Sequence, residues 1–253
     1  MISLRPLGQH ASVRRAAARA GARTLAVSTV ALQALDAGMR LREALACSRV
    51  IVTSPAAAHF AAAQTPLRRR RGQCWLAVGQ TTARVLHRAG VDAVETPRLD
   101  EDSESLLALP ALRAIAGDTV GLITAPGGRG LLTTGLRRRR ARVVVAEVYR
   151  RQARVLPLSR LAALAALPKT SALLVSSGEA FAALWTSLPE AARARLCRRP
   201  AVASSARLAD LLRAHGFARV MCAGGTRPAL MVQALATAVA AGGSALLSTL
   251  DRS

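Results

Sequence analysis

Lysine is almost missing from this sequence: Lys169 is the only one, so the remaining positive charge is arginine. Aromatic residues are nearly as scarce, limited to Phe60, Trp75, Tyr149, Phe181, Trp185 and Phe217, and only 14 residues are acidic. These shortages exclude several chemistries. No GxxxxGK[ST] run is present, so a phosphate loop with its lysine is excluded in that form. Pro126-Gly127-Gly128-Arg129-Gly130 does not complete a GxGxxG fingerprint, because Thr133 stands where the last glycine is required. There is no GxSxG nucleophile elbow, no His-x-x-x-His and no carboxylate cluster, which argues against the common hydrolases. Cys47, Cys74, Cys197 and Cys222 are scattered, and with His10, His59, His87 and His215 they form no metal-ligand spacing. They read as incidental thiols of a reducing compartment.

What is abundant is aliphatic: the chain is 51% hydrophobic, dominated by alanine, leucine and valine. Many small contacts of this kind suit helices layered on a sheet. The net charge of +22 has two readings, a polyanionic partner or a nucleotide-composition bias that raises arginine and alanine together. The parallel excess of alanine assigns most of the arginine to bias, although a positive field still gathers anionic ligands. Arg68–Arg71 and Arg137–Arg140 carry neither interleaved aromatics nor a recognition-helix motif, so no nucleic-acid partner is expected. The start has no signal-peptide pattern. The uncharged stretch from Ala229 to Leu250 is interrupted by Gln233, Thr237 and Gly242-Gly243. That leaves a helix of about 14 residues, roughly 21 Å, short of a bilayer. A final packing helix, no membrane partner and a soluble cytoplasmic protein are expected. With no long apolar edge or heptad run, the expected state is a monomer.

Short apolar runs alternate with helical patterns along the whole chain. Ten strand-like runs extend from Ile2–Arg5 to Ala218–Ala223 and include Val50–Thr53, Ala93–Thr96, Arg142–Val148 and Ala172–Ser176. Helical patterns include Gln9–Ala20, Ala56–Gln64, Ser103–Ala114 and Ala206–His215, and Gly21, Gly90 and Gly216 each follow one, where a left-handed residue ends a helix. This alternation predicts an α/β fold of doubly wound parallel sheets, as two domains of about five strands each. Ser28–Leu35 and Glu147–Val155 break the pattern and are expected to cross between domains as a paired two-stranded ladder. The predicted organisation is a discontinuous domain 1 over residues 1–27 and 156–253, a ladder from 28–35 and 147–155, and domain 2 over residues 36–146.

Hydroxyl- and glycine-rich turns recur where a strand's carboxyl end meets a helix start. They include Thr53-Ser54-Pro55, Gly79-Gln80-Thr81-Thr82, Gly127-Gly128-Arg129, Ser176-Ser177-Gly178 and Gly224-Gly225-Thr226. In open parallel sheets this is the edge where ligands bind, and helix N-termini favour anions. Ordinary helix capping gives the same pattern. Tyr149, the only tyrosine, falls at the second crossover, and both a packing role and a ligand role are open for it.

The ordered set of these pieces resembles the uroporphyrinogen-III synthases over essentially the full length. It runs through Leu4-Arg5-Pro6, Val50 to Pro55, Ala77-Val78-Gly79 with Thr82-Ala83, and Ser103 to Leu107. It continues with Gly127-Gly128-Arg129, Ala146 to Arg151, Leu173 to Ala180 and Ser204 to Leu208. Two departures stand out: Thr124-Ala125-Pro126 replaces a frequent Arg-Gly, and the first strand starts abruptly at Met1. The resemblance implies two α/β domains joined by a two-stranded ladder, acting without metal or organic cofactor as a lyase. The implied substrate is hydroxymethylbilane, a linear tetrapyrrole rich in carboxylates, with a transient hand-over from the upstream deaminase as the implied partner contact. Water is lost to give an azafulvene, and ring D is inverted through a spiro intermediate. Tyr149 matches the tyrosine that assists departure of the hydroxyl. Ser54, Thr82, Ser177 and Thr226, with Gly128, Arg129 and Gly178, would hold substrate carboxylates around a cleft. The alternative is a non-catalytic two-lobed cytoplasmic protein binding an anionic ligand.

Overall fold

The computed structural model describes residues 1–98, 102–127 and 130–238. In chain order these hold β1 (Ile2–Ser3), α1 (Ala11–Arg19), β2 (Leu25–Ala26), β3 (Val30–Ala34), α2 (Gly38–Ala46), β4 (Arg49–Val52), α3 (Pro55–Gln64) and β5 (Cys74–Ala77). There follow α4 (Gln80–Arg88), α5 (Ser103–Leu107), β6 (Thr119–Thr124), α6 (Leu131–Arg138), β7 (Arg142–Glu147) and β8 (Tyr149–Ala153). The remainder is α7 (Leu158–Ala165), β9 (Leu173–Val175), α8 (Gly178–Ser187), α9 (Glu190–Cys197), β10 (Ala201–Ala203), α10 (Ala206–Ala214) and β11 (Val220–Cys222), after which residues 228–238 are helical. The chain divides into a first unit, Met1–Ala31 with Gln152–Ser253, and a second unit, Leu32–Arg151. The two passages between them run through β3 and β8, which pair as a two-stranded sheet.

The first unit is built on a five-stranded sheet in the order β11-β10-β9-β1-β2, with all neighbouring strands parallel. Leu174 of β9 and Val202 of β10 share a buried cluster with Val13 of α1 and with Met231 and Leu235 of the helical residues 228–238. α8 packs on β9, and α10 on β10 and β11.

The second unit holds a four-stranded parallel sheet in the order β5-β4-β6-β7. Because side chains alternate along a strand, neighbours point to opposite faces. Val50 and Val52 join a cluster with Leu41 and Ala44 of α2, Ala57 and Ala61 of α3 and Leu86 of α4. Ile51 and Leu76 instead join Leu106 of α5 and Leu132 and Leu136 of α6. Helices therefore cover both faces, and the fold class is that predicted: doubly wound α/β sheets with a two-stranded connection.

Several local expectations are corrected. The run Ala93–Thr96 is not a strand but a single bridge, Leu76 to Glu95, since Pro97 follows at once and Val94 is its only β-branched apolar residue. Among the described residues the parallel sheet of the second unit consequently has four strands, where about five were expected. The helix expected over Ser103–Ala114 ends at Leu107, and a separate 3-10 turn starts at Pro110, which cannot continue the helix. Its cap is the Asp102 carboxylate, accepting from Ser105 N–H at 2.8 Å. α2 and α9 were not anticipated. Gly21, Gly90 and Gly216 do take the left-handed conformation after α1, α4 and α10. Among the described residues no helix is long and apolar enough to cross a membrane.

Candidate active site

In both sheets the strand order reverses between the first strand of the unit and the strand that follows its second. In the second unit this places the switch between β4 and β6, and in the first between β1 and β9. Connections leave such a pair toward opposite faces, so a crevice opens at the strands' carboxyl ends.

At the β4/β6 switch, Thr53 Oγ1 donates to Thr124 Oγ1 at 3.0 Å, tying the two strand ends together. Ser54 is the N-cap of α3: its extended backbone turns the chain, its Oγ accepts from Ala57 N–H at 3.0 Å, and Pro55 occupies the first helical position. Val148 N–H donates to Thr124 O at 3.0 Å, and Leu35 N–H to Val148 O at 3.0 Å. These bonds hold the start of β8 beside the end of β6. Tyr149 is thereby carried to the same place, its hydroxyl 3.2 Å from Ser54 Oγ. Its ring stacks on Phe60 of α3 with centroids 5.3 Å apart and is 3% exposed.

At the β1/β9 switch of the first unit, Ser177 caps α8 by accepting from Ala180 N–H at 3.3 Å, and Gly178 opens the helix. Arg5, just past β1, donates from its guanidinium to Thr226 O at 2.6 Å, and burial lowers its pKa. Thr226 thus contributes its carbonyl to an internal bond.

The family model described as uroporphyrinogen-III synthase HemD matches residues 11–233. The chain belongs to the uroporphyrinogen-III synthase family. Over 175 residues it is 35% identical to the uroporphyrinogen-III synthase of Salmonella typhimurium, covering 66% of this chain and 70% of the relative. It is 34% identical to that of Escherichia coli over 146 residues, 56% of this chain and 58% of the relative. The structure of uroporphyrinogen-III synthetase from Helicobacter pylori shares the fold, with a TM-score of 0.57 at 18% identity, covering 94% of this chain and 98% of that one. The function is accordingly that of a uroporphyrinogen-III synthase, an enzyme of haem biosynthesis.

Of the site residues expected in this synthase from sequence, the structure brings Ser54 and Tyr149 into direct contact. Thr82 lies in the first turn of α4, beyond the neighbouring β5, and is buried. Among the described residues no hydrogen bond links it to Ser54 or Tyr149. Ser177, Gly178 and Thr226 stand at the strand ends of the first unit. Gly128 and Arg129 lie outside the described residues. Thr124 and Phe60, which help fix the Ser54–Tyr149 pair, were not singled out from sequence; Thr53 and Arg5 stood in the quoted strand-end segments but were given no site role. Their position at strand ends is the one signal that marks Thr53 and Arg5 in the sequence. Among the described residues no group of His, Cys, Asp or Glu is disposed to hold a metal ion.

Proposed function

We propose that this enzyme acts as a lyase on hydroxymethylbilane, with Tyr149 assisting departure of the terminal hydroxyl. The observation that supports this reading is the Tyr149–Ser54 hydroxyl pair at the β4/β6 switch point. Ser54 Oγ already accepts the Ala57 N–H. With its own proton directed at the tyrosine oxygen, Ser54 leaves the phenolic proton free for donation outward. Stacking on Phe60 holds the ring while this hydroxyl works.

Donation to the terminal hydroxyl lets it leave as water, and loss of the pyrrole N–H proton yields the azafulvene. Attack from the substituted carbon of ring D gives the spiro intermediate, and reclosure after bond cleavage leaves ring D inverted. The remaining chemistry is positioning, for which no triad is required. In this reading the hydroxyls and N–H groups of Ser54, Thr82, Ser177, Gly178 and Thr226, with Gly128 and Arg129, recognise substrate carboxylates. Four free cysteines accord with a cytoplasmic enzyme.

Product analysis tests the reaction. Hydroxymethylbilane generated by its upstream deaminase is supplied, and the porphyrinogens are oxidised and separated as type I and type III isomers. Type III in excess over the enzyme-free control is expected. Type I alone, from folded protein, would overturn the reading in favour of a non-catalytic protein that binds an anionic ligand.

A further inference from the structure

The first unit contains a cavity of about 330 Å³ lined by none of the residues assigned to the proposed reaction. Gly8, Arg14, Ser28, Arg154, Pro157 and Arg160 line it, over the buried ring of His10. Its floor is held by hydrogen bonds: His10 Nδ1 lies 3.0 Å from Ser3 Oγ, and Nε2 lies 2.8 Å from Ser28 Oγ. Both ring nitrogens are satisfied there, so the imidazole is part of the wall and not a vacant ligand.

Three cations from three segments surround this floor: Arg14 on α1, Arg160 on α7 and Arg154 just beyond β8. Among the described residues no carboxylate pairs with any of them. Two helices also begin at the cavity, α1 after His10 and α7 after Pro157, and both residues line it. Neither helix has a side-chain cap or an acidic residue in its first turn. By contrast, α3, α8 and α10 are closed by Ser54, Ser177 and Ser205. Uncapped N-termini carry unsatisfied N–H groups and partial positive charge, and guanidinium groups bind oxyanions through paired, charge-assisted hydrogen bonds. Uncompensated positive charge from five sources thus meets in one cavity.

We propose that this cavity is an oxyanion site, in which Arg14, Arg154 and Arg160 hold a carboxylate or phosphate group against the open starts of α1 and α7. Two sources supply that chemistry, a carboxylate of the tetrapyrrole or a free small anion, and the test separates them.

Inorganic phosphate is titrated into the full-length protein at constant ionic strength set with chloride, and the ring nitrogens of the histidines are followed by NMR. His10 is identified by His10→Asn. A saturable shift of His10 is expected, with His59, His87 and His215 unmoved. In Arg14→Gln/Arg160→Gln, shown folded by circular dichroism, the apparent affinity should weaken about tenfold or more. The surface control Arg137→Gln/Arg138→Gln should match wild type. No shift at His10, or the same shift and affinity in the Arg14/Arg160 variant, would overturn the proposal. Initial rates then assign the source. Phosphate raising KM for hydroxymethylbilane, and a raised KM with unchanged kcat in the Arg14/Arg160 variant, identify a substrate carboxylate. Saturation of His10 with KM unmoved identifies a free anion. Only this second measurement rests on the proposed reaction, so a protein without turnover leaves the phosphate titration valid.

Discussion

The hydroxyl of Tyr149 lies 3.2 Å from Ser54 Oγ, so a residue at the start of β8 is bonded to the cap of α3. One serine oxygen therefore serves two purposes: it ends the exposed N–H groups of a helix, and it orients the only tyrosine in the chain. The bonds Thr53–Thr124 and Val148–Thr124 make this contact a consequence of sheet order, because each ties a partner to the ends of β4 and β6.

Tyr149→Phe separates the hydroxyl from the ring. The Phe60 stacking survives, and Ser54 keeps its bond to Ala57, so unfolding free energy should fall by about 1 kcal/mol or less. If the hydroxyl donates a proton in the reaction, kcat should fall on the order of a hundredfold. Single-turnover rates and urea midpoints on the same preparation check this; a wild-type kcat would remove Tyr149 as the donor.

Ser54→Ala should cost about 1 kcal/mol through the lost cap of α3. Its effect on kcat is expected to run through Tyr149. In a double-mutant cycle, adding Ser54→Ala to Tyr149→Phe should therefore change kcat far less than it does in the wild-type background. Additive losses would show that Ser54 acts on substrate independently.

Gly121→Ala should be severely destabilising although the change is one methyl group. Gly121 lies in β6 directly under α2, and a Cβ there would be 2.1 Å from the Ala44 carbonyl oxygen. Backbone cannot swing aside as a side-chain tip does, so helix and strand must separate. A loss of about 3 kcal/mol is expected. Urea denaturation checks it; a midpoint near wild type would mean that α2 shifts freely.

The fold was legible wherever one residue carries the signal alone. Ser54-Pro55 announces a helix start by chemistry that needs no partner, and Gly90 and Gly216 end helices because glycine tolerates positive φ. α2 lacks such a mark: Ala37 offers no side-chain cap, Gly38 opens the helix, and only Leu41 and Ala44 are buried along it. Tyr149 and Ser54 were each nominated through the family resemblance, but their contact spans 95 positions and follows from β4 and β6 being neighbours. The His10 site was illegible for the same reason. Ser3, His10 and Ser28 are ordinary residues in sequence, and only the folding of the first unit makes them a bonded chain.

That chain also gives a pH prediction. Burial, and then the charges of Arg14 on α1, Arg5 after β1 and Arg160 on α7, hold the His10 pKa below the usual histidine value. Unfolding returns it to about 6.5. Between the two values the unfolded chain binds more protons than the native one, so stability rises with pH across that window. The contribution is complete above about pH 6.5 and is lost as pH falls toward the native value. Denaturant midpoints for wild type and His10→Asn, measured from pH 7.5 down to 5, test this. The variant should start lower, having altered the Ser3 and Ser28 bonds, and should decline less steeply below pH 6.5. Parallel slopes would show that another group carries the pH dependence, and that His10 takes up its proton alike in the native and unfolded states.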